Sequence, residues 1–232
     1  MQLVLAIDDR DQVLAEIDRR LRAWSGRPGP LRRLDPVSQL VFAMIGSRTY
    51  GEVASAAFQR LRTRFVTWEH VLGASEEDVR RDIKSVTYAA AKARHLRAAL
   101  DIMIRERGAL DLEFLRTKTA SRALMWLERL PGVGRKVSAS TLNFSALEMK
   151  ALVIDTHHLR VLRRLGIVGG HVVAEHAYDH VMPHLPAHWS ANDVARHHVT
   201  VKALGQRLCR AGAPVCAPCP LLDLCSLPNR FV

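Results

Sequence analysis

Cysteine is scarce in this chain and confined to one place. Only four occur, all between Cys209 and Cys225. None remains to build a disulfide framework elsewhere, which excludes a disulfide-stapled secreted scaffold and fits thiols gathered for metal ligation in a reducing cytoplasm. Aromatic residues are only 6% of the chain, and no run alternates apolar and polar residues with the period of a strand, so a sheet is disfavoured. No apolar stretch approaches the roughly 18 residues of a membrane-spanning helix. Met1 to Ile7 is apolar but short and runs into Asp8-Asp9. With no basic leader and no small-residue cleavage site, it is not expected to be a secretion signal. Internal repeats and low-complexity tracts are also missing. Acidic residues are in deficit, 23 against 34 Lys and Arg, for a net charge of +11. That charge draws the chain toward a polyanion. On charge alone, nucleic acid, an anionic membrane surface and a merely solvated basic face are all compatible.

What is present is helix. The 232 residues suit one large domain or two small ones. Val13, Leu14, Ile17 and Leu21 share one face of a helix over 10–24, and Gly26–Pro30 breaks it as a candidate hinge. Val37–Ile45 is apolar almost all round, as in a buried central helix. Val53, Ala57, Leu61 and Phe65 recur at helical spacing, and Ser75-Glu76-Glu77-Asp78 is a capping signal for a short helix ending near Lys84. Further helices are predicted over 89–106, 120–129, 135–146, 156–165, 173–184 and 191–208.

The most informative stretch is Leu130-Pro131-Gly132-Val133-Gly134-Arg135-Lys136, between two helical patterns. The proline ends the first helix, and the glycines allow a tight turn, positive φ and close approach to another molecule. The next helix then opens with unpaired amides and the positive end of its dipole. A glycine-rich turn feeding a helix N-terminus binds phosphate through Gly132, Val133, Gly134 and Arg135 without reading base sequence. Gly-x-Gly alone equally fits a plain helical corner. The basic chain, the Arg135-Lys136 pair and the downstream cysteines favour the phosphate reading.

This hairpin, followed by Val153-Ile154-Asp155-Thr156-His157, resembles the endonuclease III family of DNA glycosylases. The resemblance runs from about residue 10 to 228 and is strongest over 127–165 and 204–225. It implies an all-α, two-lobed helix–hairpin–helix fold. One lobe, 30–147, would be a helical barrel carrying the hairpin. The other would join 1–29 to 148–232 and hold a 4Fe–4S cluster, with DNA in the cleft between them. The partner implied is double-stranded DNA containing damaged bases or abasic sites, bound by a monomer with no membrane attachment in a prokaryotic-type, nucleoid-associated cytoplasmic setting.

The resemblance also implies the chemistry. An amine can attack C1′ of the sugar, expel the base and leave a Schiff base whose collapse nicks the strand. Lys136 is the candidate nucleophile. Arg135 beside it and the helix dipole both favour the neutral amine. Asp155 is the candidate carboxylate, taking a proton or stabilising charge on the sugar. Alone, Lys136 would read as a phosphate contact and Asp155 as a helix N-cap. Together with the hairpin and cysteines they read as a catalytic pair.

Cys209, Cys216, Cys219 and Cys225 are spaced Cys-x6-Cys-x2-Cys-x5-Cys. Four thiolates suit either structural zinc or a 4Fe–4S cluster. Zinc usually takes two short-spaced pairs and this run has one. The match to the endonuclease III cluster loop favours iron–sulfur in a structural role, presenting Arg207 and Arg210 to phosphate. The histidine doublets His157-His158 and His197-His198 lack ligand spacing and are expected at the surface or in the cleft.

Some positions depart from the family. Arg48, in Gly46-Ser47-Arg48-Thr49-Tyr50, stands where a glutamine usually fills the gap left by the flipped base. Val137 replaces the common threonine, and Thr87–Ala91 differs from the usual glycine–aromatic loop. These changes bear on which base is recognised, with an oxidised pyrimidine expected. Adenine-excising relatives carry serine at the lysine position and a glutamate in the second barrel helix; thymine-mismatch relatives carry tyrosine at the lysine. The remaining readings are a monofunctional glycosylase that uses Asp155 with water and a DNA-binding module without catalysis.

Overall fold

The computed structural model describes residues 10–26, 29, 31 and 33–226. Met1–Ile7 and most of the predicted hinge, Arg27, Pro28 and Pro30, lie outside the described residues. The described chain is helical, with a single isolated bridge, Leu34 to Ser145, and no strand. No described helix is long and apolar enough to cross a membrane. The chain forms two compact units, Arg32–Met149 and Met1–Leu31 with Lys150–Val232.

The Arg32–Met149 unit contains α2 (Pro36–Gly46), α3 (Gly51–Arg64), α4 (Trp68–Gly73), α5 (Glu76–Asp82), α6 (Ala89–Arg107), α7 (Ala120–Glu128) and α8 (Arg135–Phe144). Their starts are written locally. Asp35, Thr67, Ser75 and Thr119 each accept a hydrogen bond from a first-turn amide, and α6 ends on Gly108 at φ +75°. α2 is buried along most of its length and packs on α3, α6 and α8. Its few polar groups are paired inside: Trp68 Nε1 donates to Ser38 Oγ at 3.0 Å, and Gln39 Nε2 to Ser140 Oγ at 3.1 Å. Two features differ from expectation. α4 and a 3₁₀ turn over Glu113–Thr117 were not predicted, and α8 stops at Phe144 because Ser145 turns to the bridge with Leu34.

In the other unit, α1 (Arg10–Ser25) packs on α11 (Ala191–Arg207), which also packs on α9 (Thr156–Arg164); α10 (Ala174–Val181) lies between α9 and α11 in sequence. Ile17, Leu21, Val161, Leu165, Val201, Leu204 and Leu221 form one core, and Cys209, Cys219 and Cys225 pack against it. Arg20 fastens α1 to the cysteine loop through Asp223 at 2.5 Å and the Pro220 carbonyl at 3.3 Å. The helix predicted over 173–184 ends at Val181, with a 3₁₀ turn over Met182–His184 that includes Pro183.

Candidate functional site

The hairpin joins α7 to α8. Gly132 has φ +77°, and a β-carbon there would lie 2.9 Å from the His95 Cβ, so this position requires glycine both for conformation and for contact with α6. Gly134 is different. Its backbone is extended, at φ −107°, and open space surrounds the place a side chain would take, so it needs no glycine for the turn itself. Glu128 braces the hairpin from α7. It accepts Arg135 Nε at 2.6 Å and the Ser138 hydroxyl at 2.9 Å. The Arg135 guanidinium is therefore paired with a carboxylate from the preceding helix.

Lys136 is the second residue of α8, half-buried. A pocket of about 420 Å³ in the same unit is lined by Met44, Ser47, Arg48, Tyr88, Lys92 and His95, among others, with Gly132 of the hairpin in its wall. The Lys92 ammonium is a further cation near Lys136, missed from sequence. Burial, then the Lys136 charge, pushes Lys92 from 10.5 down to about 8. Lys92 lines the pocket, and the Lys136 charge reaches it there. Arg48 and Tyr88, both exposed at the pocket, adopt left-handed backbone at φ 53° and 59°. A non-glycine residue pays on the order of 1–2 kcal/mol for that conformation, so the surrounding structure holds them there.

In the other unit the buried run Ala151–Ile154 leads to Asp155. Asp155 caps α9: its Oδ1 accepts the His158 backbone amide at 2.8 Å. Burial pushes its carboxyl up, but His198, the His158 amide, Lys202 and His157 outweigh burial and hold it below 3.8. Lys202 Nζ stands 4.0 Å from Oδ2. Behind this cap the histidine doublets are largely buried, not at the surface. His158 and His197 are fully buried and His198 nearly so. His158 Nδ1 and His198 Nδ1 are 3.4 Å apart, and His197 Nδ1 is 3.2 Å from Asp18 Oδ1. Burial and the neighbouring histidines hold His158 well below 6.5. The signal available in sequence was helical spacing: His197 and Val201, four apart, share the core face of α11, which a reading by ligand spacing overlooks.

Cys209, Cys216, Cys219 and Cys225 all line one cavity of about 30 Å³ in this unit, together with Arg164. Arg164 Nη1 donates to Cys209 Sγ at 3.2 Å and to the Arg210 carbonyl at 2.8 Å, while Nη2 donates to the Ala211 carbonyl at 3.0 Å. Burial, then the other three thiols, pushes the Cys219 thiol up. Among the described residues, no three His, Cys, Asp or Glu side chains converge as ligands of a single ion. Arg207 is exposed and its guanidinium lies 5.8 Å over the Trp24 ring; Arg210 is exposed.

Curated relatives include endonuclease III of Bacillus subtilis, 28% identical over 192 residues and spanning 82% of this chain and 81% of that one. Endonuclease III-like protein 1 of Gallus gallus is 26% identical over 193 residues, 83% of this chain and 64% of that one. Among solved structures, a trapped endonuclease III–DNA covalent intermediate shares the fold with a TM-score of 0.77, at 22% identity and covering 96% of this chain and 98% of that one. A profile described as HhH-GPD superfamily base excision DNA repair protein matches residues 41–185. The chain is therefore a member of the HhH-GPD superfamily of base excision DNA repair proteins.

Proposed function

We propose that this base-excision DNA glycosylase is bifunctional: it removes an oxidised pyrimidine and then nicks the strand at the abasic site. The observation that carries this reading is Lys136, at the start of the helix after the hairpin, with its charge bearing on Lys92 in the wall of the pocket. In the proposed sequence, the neutral Lys136 amine attacks C1′ and the C1′–N bond breaks, its electron pair leaving with the base, which gains a proton. Asp155 is the carboxylate of the reaction, accepting the proton lost from nitrogen as the imine forms or balancing positive charge on the sugar. Loss of a C2′ proton from the imine then expels the 3′ phosphate.

Gly132, Val133, Gly134 and the backbone of Arg135 are proposed to hold DNA phosphate, with Arg207 and Arg210 supplying further phosphate contacts. Arg48 is proposed to fill the gap left by the extruded base, where its planar cation can stack on or hydrogen-bond the orphaned partner.

Four thiols around one cavity, with an arginine donating to one sulfur, are a donor set that fits a 4Fe–4S cluster held by Cys209, Cys216, Cys219 and Cys225. Its contribution when bound is to pin this loop against the core.

A panel of duplexes, each with one modified base, tests the function. Oxidised pyrimidines should be excised and the strand nicked without alkali. Base release that needs alkali to reveal a break would replace the reading with a monofunctional glycosylase.

A further inference from the structure

Lys92 sits in the pocket wall but has nothing left to offer a ligand. An ammonium carries three donor hydrogens. Lys92 Nζ is 2.7 Å from the Ile45 carbonyl, 2.5 Å from the Ser47 carbonyl and 3.0 Å from Thr49 Oγ1, so all three are taken within the protein. Two of those acceptors lie at the C-terminal end of α2, where the helix dipole is negative and a cation is favoured. The third, the Thr49 hydroxyl, also accepts the Thr87 backbone amide at 3.2 Å. The amine thus pins the loop after α2 to α6, and Thr49 in turn ties that loop to the turn before α6. Two left-handed residues stand next to these ties: Arg48 precedes Thr49, and Tyr88 follows Thr87.

We propose that Lys92 is a positioning residue: its ammonium is the post, and Thr49 the crossbar, that together hold Arg48 and Tyr88 at the mouth of the pocket for base extrusion. The functional half of this inference rests on the glycosylase reading above. The structural half does not. Arg48 from the loop, Tyr88 and His95 from around α6, and Lys136 from α8 are the titratable groups around this ammonium at the pocket. Burial and the Lys136 charge keep Lys92 near 8, so mildly alkaline solution leaves two hydrogens for three acceptors.

Lys92→Met keeps an unbranched side chain as far as Cε and removes every donor. Thr49→Val keeps the Lys92 charge and removes the crossbar. Both variants are compared with the full-length wild type by two measurements. The first is hydrogen exchange at the Thr87 amide, corrected for intrinsic rate, which reports the tie whether or not the protein has activity. Protection should fall at least about tenfold in both variants, with the amides of the α2 interior unchanged as a check on folding. The second is single-turnover base excision against borohydride trapping on a preformed abasic site, where no base remains to be extruded. Excision should fall at least about tenfold in Lys92→Met, as expected when reacting groups lose their alignment, and trapping should stay within about threefold of wild type. The excision advantage of wild type over Lys92→Met should shrink as pH rises from 7 to 9.5.

Unchanged Thr87 protection in both variants overturns the proposal. So does a lost tie that leaves excision intact, or an equal loss of excision and trapping, which would mark Lys92 as acting on Lys136 chemistry alone. A wild type inactive on every lesion and on abasic DNA would defeat the glycosylase reading instead, and Thr87 protection would still decide whether the post exists.

Discussion

Gly205 of α11 lies against His157 at the start of α9, so close that a β-carbon on Gly205 would stand 2.9 Å from the His157 Cβ and 3.2 Å from its carbonyl oxygen. That contact fixes how near α9 comes to α11, and with it the seat of Asp155 two residues earlier. Gly205→Ala gains helix propensity but forces its methyl against the Cβ and carbonyl of His157. The expected net cost is about 1–3 kcal/mol, read as a lowered thermal midpoint. A midpoint at or above that of wild type would mean the helices part without penalty.

Asp155 is both cap and proposed catalyst, and two substitutions separate the roles. Asp155→Asn retains an oxygen that can accept the His158 amide, whereas Asp155→Ala leaves that amide without its cap, at about 1 kcal/mol. Stability should follow the order wild type, Asn, Ala, while base release should fall steeply and alike in both variants. Release that tracked stability instead of charge would reduce Asp155 to a cap.

The pH dependence of that carboxylate has a defined sign. Its folded value lies below the 3.8 of an ordinary aspartate, so its contribution to stability is complete above that value and is lost only as pH falls through the range beneath it. The stability difference between wild type and Asp155→Asn should therefore not shrink as pH falls from 7 to 5. A difference that shrinks between pH 7 and pH 5 would show the carboxyl titrating there, without the support of His198, Lys202 and the His158 amide.

The cysteine loop makes a compositional prediction. Protein purified without oxygen should be yellow-brown, with about four irons and four sulfides per chain. Arg164→Ala removes the donor to Cys209 Sγ and to the Arg210 and Ala211 carbonyls, and should lower iron occupancy and hasten its loss to chelators. One zinc and no iron per chain would refute the cluster.

Much of this was legible in the sequence because it is local. Ser75 caps α5, Gly108 ends α6, and Asp155 caps α9 through contacts within four residues. The hairpin likewise announces itself in consecutive residues. What could not be read depends on partners distant in sequence. Lys92 finds its acceptors 43 to 47 positions earlier, and without them it is an unremarkable lysine in an alanine-rich helix. His158 meets His198 across 40 residues, which turned apparent surface histidines into a buried group behind Asp155. Arg135 adjoins Lys136 in sequence, yet its guanidinium is held by Glu128, seven residues earlier. Gly134 was assigned a turn conformation that only Gly132 adopts.

The central claim is that the amine of Lys136 attacks the sugar. If it does, the reaction passes through an imine that borohydride reduces to a stable amine. Wild-type protein mixed with abasic or damaged duplex and borohydride should yield a covalent protein–DNA species, and peptide mapping should place the DNA on Lys136. Lys136→Gln should lose trapping and nicking while still binding DNA. Undiminished trapping in Lys136→Gln, or base release by wild type with no trapped species at all, would contradict the account.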